Sequence, residues 1–333
     1  MKKLSLLVLL CLISVAVLLL AMGIGSVSIA VTDTVRVLTG ATSSVDETVR
    51  TILLNIRIPR ALLAFISGAG LAVSGVMMQS VLRNPLASSF TLGVSSGAAL
   101  GASLAILFSM TLFGIFTLPI FGLVFGLITV FLALAVATRV DRNLQNNSII
   151  LTGMAFSLFA NAMITIVMAL SAEKLQRIVY WQMGSFAMRS SDYIIILFVV
   201  VVVCFVVAMR YARQMDIMTF GDEEAMVSGV RAKRVKWTLL SLSTVLTGAI
   251  VSVVGIIGFV DLFTPHMARK LFGASHKWVL PAAALLGGAF MVVCDLIART
   301  IVAPLELPVG AITSLIGAPF FLYLYFSKRK SAV

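Results

Sequence analysis

With 333 residues, of which 60% are hydrophobic, and a mean hydropathy of +1.11, the chain is too apolar to fold as a soluble domain of its size. Its net charge of +12 does not indicate a nucleic-acid partner, because the 25 Lys and Arg residues are scattered in small groups between apolar runs. Composition therefore predicts an all-α polytopic membrane protein, with residues 1–333 forming a single transmembrane domain.

Apolar runs long enough to cross a bilayer recur along the whole chain, each near the roughly 20 residues that a spanning helix needs. The first run, Leu4 to Met22, follows two lysines and so resembles a secretory signal peptide. It is longer than the roughly 7–15 residues of a signal's apolar region, which favours a retained span. The predicted crossings number about ten: residues 4–30, 58–82, 90–109, 112–138, 148–170, 193–211, 237–258, 260–273, 278–298 and 307–327.

The third and eighth of these segments are irregular. Pro85, Gly93 and Gly97 make the third short or broken, and Pro265 makes the eighth a half-span. Irregular backbone persists at membrane depth only where protein or a water-filled cavity satisfies its polar groups, so both segments are candidates for lining a path. Gly93 and Gly97 also belong to GxxxG steps that allow helices to pack closely, and the sequence leaves both interpretations open.

A polar stretch, Arg213 to Lys236, lies between two apolar runs in a chain that is only 11% charged. The distribution of basic residues over the loops follows the positive-inside rule if this stretch and both chain termini are cytoplasmic. Within it, Gly221 and Asp222 indicate a helix start, since acidic side chains suit the first turn.

The predicted helix of this stretch carries charge on one side, including Glu223 and Glu224, and ends at Gly229 as a C-cap. Its other side is apolar: Ala225, Met226 and Val230. A membrane protein seldom folds its longest basic loop into a helix unless a partner docks there. We therefore predict a cytoplasmic docking surface over about residues 213–236.

Arg57, Arg60 and Arg299 all fall at the outer ends of predicted spans. Such arginines can snorkel to the membrane interface, or they can form an exposed cluster that receives carboxylates of a partner protein. Asp295 and Glu306 flank the same hairpin as Arg299, and we expect them to be structural counter-ions. The residues alone do not decide between the two interpretations of the arginines.

Asp261 ends a long apolar run, where an unpaired charge costs about 2.5–3.5 kcal/mol on an insertion scale. It must therefore face protein, water or a cation. A role in ion coupling would make the protein a secondary transporter, which is the competing class, although a single acidic residue makes a poor relay.

Residues for catalysis are missing from the sequence. It contains no Gly-Lys pair, and hence no GxxxxGK[ST] phosphate loop, and it has no HExxH motif. Cys11, Cys204 and Cys294 each lie in an apolar run and indicate neither a disulfide framework nor a metal site. We therefore expect no catalytic, cofactor-binding or metal-binding residues, and we do not expect an enzyme.

Several segments carry a family resemblance. Arg57-Ile58-Pro59-Arg60 with the following ALLAFISGAGLAVSGVMMQSVLRNPLASSFTLGVSSGAALGA closely resembles the signature of FecCD-type permeases, the membrane subunits of ABC importers for iron-siderophores, haem and vitamin B12. The resemblance continues, in order, through GDEEAMVSGV, TPHMARKLFG, LLGGAFMVVCDLIART and ELPVGAITSLIGAPFFLYLY. It covers nearly all of the chain after residue 50.

This resemblance implies a type II ABC importer permease of about ten transmembrane helices, which dimerises around a central translocation path. It implies four further partners or surroundings: a second permease subunit, two cytoplasmic ATP-binding subunits, an extracytoplasmic substrate-binding protein and the bacterial cytoplasmic membrane. Ferric siderophores are the commonest cargo of similar permeases, with haem or cobalamin as the alternative.

Residue by residue, the resemblance implies three sets of sites. Arg57, Arg60 and Arg299 match arginines that meet acidic residues of the binding protein. The coupling-helix pattern, which enters a groove of the ATPase, covers Gly221, Asp222, Glu223, Glu224, Ala225 and Gly229. The narrow cytoplasmic gate of the path falls at Asn146, Asn147 and Ser148. Two residues depart from the family pattern: Asp261, where a glycine is usual, and Ser228, where a leucine is common.

Overall fold

The computed structural model describes residues 2–25, 29–41, 45–141 and 145–330, and this part of the chain consists of helices, turns and loops without a β-strand. The helices are α1 Lys2–Gly23, α2 Val31–Leu38, α3 Glu47–Ile52, α4 Ile58–Val81, α5 Val94–Leu107, α6 Thr117–Val140, α7 Asn146–Ala169, α8 Leu175–Gln182, α9 Asp192–Arg210, α10 Ala212–Met218, α11 Asp222–Val227, α12 Ala232–Val254, α13 Val260–Phe272, α14 His276–Thr300 and α15 Val309–Lys330. The prediction of an all-α membrane protein is confirmed.

Seven helical segments in the described ranges are long and apolar enough to cross a membrane, and two shorter apolar helices, Val94–Leu107 and Val309–Phe320, accompany them. Each of the predicted crossings overlaps with one helix. The first was predicted to reach residue 30 but its helix ends at Gly23, and residues 26–28 of that prediction lie outside the described residues. The third and eighth are short, as the sequence predicted: α5 has 14 residues and α13 has 13. At 1.5 Å per residue they extend about 20 Å, well short of the roughly 30 Å hydrocarbon core.

Helix α4 forms the centre of the bundle, and most of its residues are buried, including Arg60 at its outer end. It packs against α9, α12, α13 and α14. Small residues make this possible: a Cβ atom at Gly68 would collide with the carbonyl oxygen of Gly287, and one at Gly75 with that of Asp261. Close backbone approach of this kind is how helices associate where lipid offers no hydrophobic driving force.

Helix α1 packs along α14 and α4. Its inner face buries Ser14, Ala21 and Met22, and the Ser14 hydroxyl donates to the carbonyl oxygen of Leu10 at 2.9 Å. Whether the first apolar run is a retained span stays a prediction.

A cluster of buried hydroxyl groups fixes the turn that precedes α5. Ser74 Oγ lies 2.7 Å from Ser89 Oγ, 2.6 Å from Ser243 Oγ and 2.8 Å from Thr247 Oγ1. Thr247 Oγ1 also donates to Ser89 Oγ at 2.9 Å. Because every member has a partner, the cluster holds α4, α12 and residues 88–89 together without an unsatisfied polar group.

Candidate functional site

The polar stretch between α9 and α12 folds into two short helices, α10 and α11. Helix α11 starts at Asp222, with Gly221 at φ 139° before it and Gly229 at φ 80° after it. Both φ values lie where residues with a side chain are strained, which explains why glycine occupies these ends. The predicted boundaries of the exposed helix are therefore confirmed.

The exposed face of α11 is both acidic and apolar. Glu223 and Glu224 are exposed, whereas Ala225 is fully buried against the core. The sequence put Met226 on the same apolar side as Ala225, but Met226 is 58% exposed, because the helix rests on Ala225 and leaves Met226 one position further round. Phe220 at 79% and Val227 at 91% exposure complete an apolar patch around the carboxylates. That this patch is a docking surface stays a prediction.

Asp222 ties α11 to the rest of the protein. Its Oδ2 accepts a 2.6 Å hydrogen bond from the Nζ of Lys236 and lies 3.8 Å from an Arg83 guanidinium nitrogen. Lys236 is only 1% exposed and also donates to Asn146 Oδ1 at 3.2 Å. The Asn146 amide in turn donates to the carbonyl oxygen of Leu82 at 2.8 Å. This chain connects α11, α12, the start of α7 and the end of α4.

A second tie runs through α10. The Oδ1 of Asp216 accepts hydrogen bonds from the backbone N–H of His276, at 2.8 Å, and from its Nδ1, at 2.6 Å. The His276 Nε2 lies 2.9 Å from Ser80 Oγ on α4. Partial burial opposes ionisation of Asp216, but the hydrogen bonds and charge of His276 outweigh it and lower the pKa of Asp216. The loop is thus held on α4 and α14.

The three outer-end arginines are buried, which contradicts the expectation that they are exposed or snorkel to the interface. Arg57, Arg60 and Arg299 are 4%, 9% and 8% exposed. Arg60 Nε lies 3.0 Å from both oxygens of Asp295, and its Nη1 donates to Glu306 Oε1 at 2.7 Å. The expected counter-ion role of these two acidic residues is therefore confirmed, with Arg60 as their main partner.

Arg57 and Arg299 cap the end of α1. Arg57 Nη1 donates to the carbonyl oxygens of Met22, at 3.1 Å, and Gly23, at 2.6 Å. Arg299 Nη2 donates to the carbonyl oxygen of Ala21. The carbonyl groups at a helix C-terminus lack intrahelical partners, and these two cations satisfy them. Sequence position alone did not reveal that α1 ends beside them.

The gate and path residues of the prediction separate into two groups. Asn146 joins the hydrogen-bond chain of the cytoplasmic loop, Asn147 is exposed and Ser148 is half-buried at the start of α7. Gly93 and Gly97 instead serve packing: a Cβ at Gly93 would lie 3.0 Å from Ser157 Oγ, and one at Gly97 would lie 2.8 Å from the carbonyl oxygen of Phe125. Whether either group lines the path stays a prediction.

A cavity of about 530 Å³ opens where the irregular segments meet. Its wall combines residues 86–91 ahead of α5, residues 256–262 at the start of α13 and residues 308–314 at the start of α15, together with Gln182 and Met183. The third and eighth segments therefore both border a cavity, as their irregular backbone predicted. Neither Gly93 nor Gly97 is among its lining residues.

Comparison with known proteins identifies the family. The pattern that defines the FecCD transport family matches residues 10–327 of the chain. The chain belongs to the FecCD transport family. Among its relatives, the uncharacterized ABC transporter permease protein YvrB of Bacillus subtilis is 38% identical over 293 residues, covering 87% of this chain and 83% of YvrB. The hemin transport system permease protein HmuU of Yersinia pestis is 37% identical over 297 residues, covering 86% and 87%.

A solved structure has the same fold as this FecCD chain. It is an inward-facing ABC transporter assigned to the metal-chelate type, and it superposes with a TM-score of 0.86 at 31% identity, covering 97% of this chain and 99% of the other. Further relatives are named as permeases for cobalamin, molybdate and ferric citrate. The FecCD chain is therefore an ABC importer permease, a transport subunit that works with a partner permease and an ATPase, and its cargo is not identified by these names.

Three residues of the FecCD chain gain a role that the sequence did not reveal. Lys236, Asp216 and His276 were visible only as charged or titratable side chains near the cytoplasmic stretch. The one signal that could have identified Lys236 is its place directly before Trp237 and a long apolar run, where a lysine must find a partner on folding.

Proposed function

We propose that this permease imports ferric siderophores, with haem or cobalamin as alternative cargo. The observation that carries the proposal is the 530 Å³ cavity at the two irregular segments. Sites for organic ligands of drug size occupy roughly 300–1,000 Å³, whereas a bare ion needs no cavity of this volume. Iron-chelate names among the relatives support the same cargo class.

The proposed mechanism is alternating access driven from the cytoplasm. In each of two ATPase subunits, a groove receives α11 through the Glu223 and Glu224 carboxylates and the apolar patch around them. ATP binding and hydrolysis then displace α11. Its link through Asp222 and Lys236 to Asn146 carries the displacement to the cytoplasmic end of α7, where the gate is proposed.

An extracytoplasmic binding protein is proposed to deliver the cargo at the outer ends of α4 and α14. A second cavity, of about 300 Å³, is lined by Arg60 and Arg189 together with Pro59, Phe186 and Met188. An acidic side chain of the binding protein would find the Arg189 guanidinium there, while Arg60 stays paired with Asp295 and Glu306. Arg57 and Arg299 have an indirect role in this proposal, because they hold the end of α1 beside Arg60.

The dimer and the orientation are further parts of the proposal. The cavity at α13 and α15 is open on one side, and a second permease chain would close it into a central path. The distribution of basic residues over the loops supports an orientation with both termini in the cytoplasm of a bacterial cell and the permease in its cytoplasmic membrane.

The test is uptake by a bacterial host that lacks its own FecCD permeases, expressing this chain with its cognate ATPase and binding protein. We expect ATP-dependent accumulation of ⁵⁵Fe supplied as a ferric siderophore, and none when the ATPase carries an inactive phosphate loop. Accumulation of only haem or only cobalamin would select the alternative cargo. Uptake that follows a proton or sodium gradient without ATP would support the ion-coupled transporter instead.

A further inference from the structure

The described lining of the 530 Å³ cavity contains a single charge. Most of it is apolar, with Leu86, Phe90, Phe259 and Leu262 among the larger side chains. Of the lining residues that the structure describes, Asp261 alone is ionisable. The cavity therefore has an electrostatic preference that a purely apolar path would lack.

Burial opposes ionisation of Asp261, and three features of its surroundings partly offset this by stabilising the ionised form. Its Oδ2 accepts hydrogen bonds from the Ser88 hydroxyl and from the backbone N–H of Ser89, at 3.3 Å for the latter. It also lies in the first turn of α13, where the helix dipole stabilises an anion. The hydroxyl cluster around Ser74 holds residues 88–89 in place, so these donors are fixed before any cargo arrives.

The charge of Asp261 is not neutralised by a neighbouring cation. The ion pairs of the described ranges do not include Asp261, whose side chain is 1% exposed, and its Oδ1 accepts no hydrogen bond from this part of the chain. A carboxylate buried in a wall of low dielectric projects its field into the adjoining cavity rather than into bulk water. The cavity should thus attract cations and repel anions.

The lining is unsuited to a bare metal ion. Calcium and magnesium take six or more oxygen ligands, typically including several carboxylates, and the described residues contain no cluster of three metal-ligating side chains. An organic cation needs only one counter-charge, and the lining also includes Phe90 and Phe259, aromatic residues of a kind that attracts cations.

We propose that this cavity is a cargo subsite that selects chelates bearing an organic cation, such as a protonated amine, and that Asp261 is its specificity-determining residue. The inference rests on the proposed function, which it deepens by assigning the charge of the cargo. Asp261 interrupts an otherwise neutral wall, so its replacement should change which cargo passes rather than whether the bundle forms.

The first test measures the charge preference of the cavity without any cargo. In a variant with Cys11, Cys204 and Cys294 replaced by alanine, Ser314→Cys places one thiol in the wall. The permease–ATPase complex in lipid nanodiscs is treated with two methanethiosulfonate reagents, one carrying the cationic ethyltrimethylammonium group and the other the anionic ethylsulfonate group. The rate at which each reagent modifies the cysteine is divided by its rate with a free thiol in solution, which corrects for intrinsic reactivity. We expect the cationic reagent to react faster by at least about tenfold.

Substitutions at Asp261 then assign that preference. Asp261→Asn should bring the ratio of the two rates close to one, and Asp261→Glu should retain it. A ratio near one with Asp261 intact overturns the proposal, and this arm does not depend on the folding of any Asp261 variant. Ala311→Cys is a second reporter in the same wall, and failure of both thiols to react with either reagent would contradict an open subsite.

The second test uses two ferric trihydroxamate siderophores of matched metal centre, the linear ferrioxamine B with a free ammonium group and the macrocyclic, neutral ferrioxamine E. We expect Asp261→Asn to lower the uptake of the cationic chelate relative to the neutral one by about tenfold. Equal loss of both contradicts a charge-selective role. If the unsubstituted protein imports neither chelate, the proposed function fails for hydroxamates, whereas the thiol rates still decide the preference of the cavity.

Discussion

Arg60 shows how a charge near the membrane can be structural. Its guanidinium meets Asp295 with two nitrogens and Glu306 with a third, in a site where Arg60 and Asp295 are almost fully buried. Removing one partner of a buried pair leaves the other charge uncompensated, which costs about 3–5 kcal/mol. We expect Arg60→Gln to lower the free energy of unfolding by the lower end of this range, because Arg299 Nε still lies 3.9 Å from Asp295 Oδ2. Thermal and denaturant unfolding of the purified permease measures the change.

The matched control is Arg36→Gln, since Arg36 pairs with Asp33 at 3.3 Å but is 51% exposed. An exposed pair of this kind contributes about 0–1 kcal/mol. Adding Asp295→Asn to Arg60→Gln should restore part of the lost stability, because the orphaned carboxylate is then neutral. Equal destabilisation by Arg60→Gln and Arg36→Gln would contradict the structural role of Arg60.

For single residues, the sequence predicts which charged side chains can pair better than it predicts which of them are buried. Asp295 and Glu306 could be recognised as counter-ions because both lie on the same outer hairpin as Arg299. The burial of Arg57 and Arg299 could not be predicted, because their partners are backbone carbonyls at the end of α1. A carbonyl group has no signature in a sequence, and its position depends on how distant helices pack.

Lys236 connects elements rather than stabilising one of them. It bridges Asp222 of α11 and Asn146 of α7 from the first turn of α12. In Lys236→Met, α11 would keep its own helical bonds but lose this connection to α7. We therefore expect ATP hydrolysis to continue while cargo uptake falls at least about tenfold, because loss of a buried charged hydrogen bond weakens such a link by about 1.5–3 kcal/mol.

Arg234→Met is the control for this prediction, because Arg234 lies in the same helical turn and is exposed. It should leave the ratio of uptake to ATP hydrolysis unchanged. Lys236→Arg, which keeps the charge, should retain part of the coupling. If Lys236→Met preserves the ratio of transport to hydrolysis, the link does not transmit motion.

The surface of α11 leads to a separate prediction about partner binding. Glu223→Lys combined with Glu224→Lys reverses two exposed charges without touching the buried Ala225. We expect the permease to reach the membrane at an unchanged level but to lose the ATPase subunits in co-purification, and uptake with them. Glu173→Lys, at the far end of the bundle, should have no such effect. Retained ATPase binding by the double variant would exclude α11 as the docking helix.

The boundaries of helices were predicted better than their orientation, and the reason is physical. Glycines with positive φ values and long apolar runs are local signals, and they correctly predicted α11 and the short third and eighth helices. The orientation of α11 about its own axis was only partly predicted, since Met226 faces outward. Six residues make fewer than two turns, so the buried face depends on where Ala225 meets the core and not on periodicity.

The degree of burial differs greatly among the helices of the whole molecule. The most apolar part of α4 is 83% buried and that of α12 is 72%, whereas those of α7 and α9 are each only 22% buried. A helix that is exposed within one chain must face lipid or another chain. Hydropathy is the same for both surroundings, so the sequence could predict the number of crossings but not which helices surround the path.

In a dimer that closes the open side of the cavity, the α15 helices of the two permease chains should lie close to each other. Leu315 follows the cavity residue Ser314 and is 72% exposed, which would leave an apolar side chain beside a water-accessible path in a single chain. Introduced alone into the variant lacking native cysteines, Leu315→Cys should therefore form an intermolecular disulfide on mild oxidation in the membrane, detected as a dimer in non-reducing electrophoresis.

Phe198→Cys provides the comparison, because Phe198 is 54% exposed on α9, away from the cavity. Random collisions in the bilayer would cross-link both variants equally, whereas a dimer closed over the cavity would cross-link only the first. ATP should change the rate of the Leu315→Cys reaction, since alternating access requires the two chains to move at the path. Equal cross-linking rates for Leu315→Cys and Phe198→Cys would contradict a dimer closed over the cavity. The second permease chain would then bind elsewhere, and the cavity would face lipid.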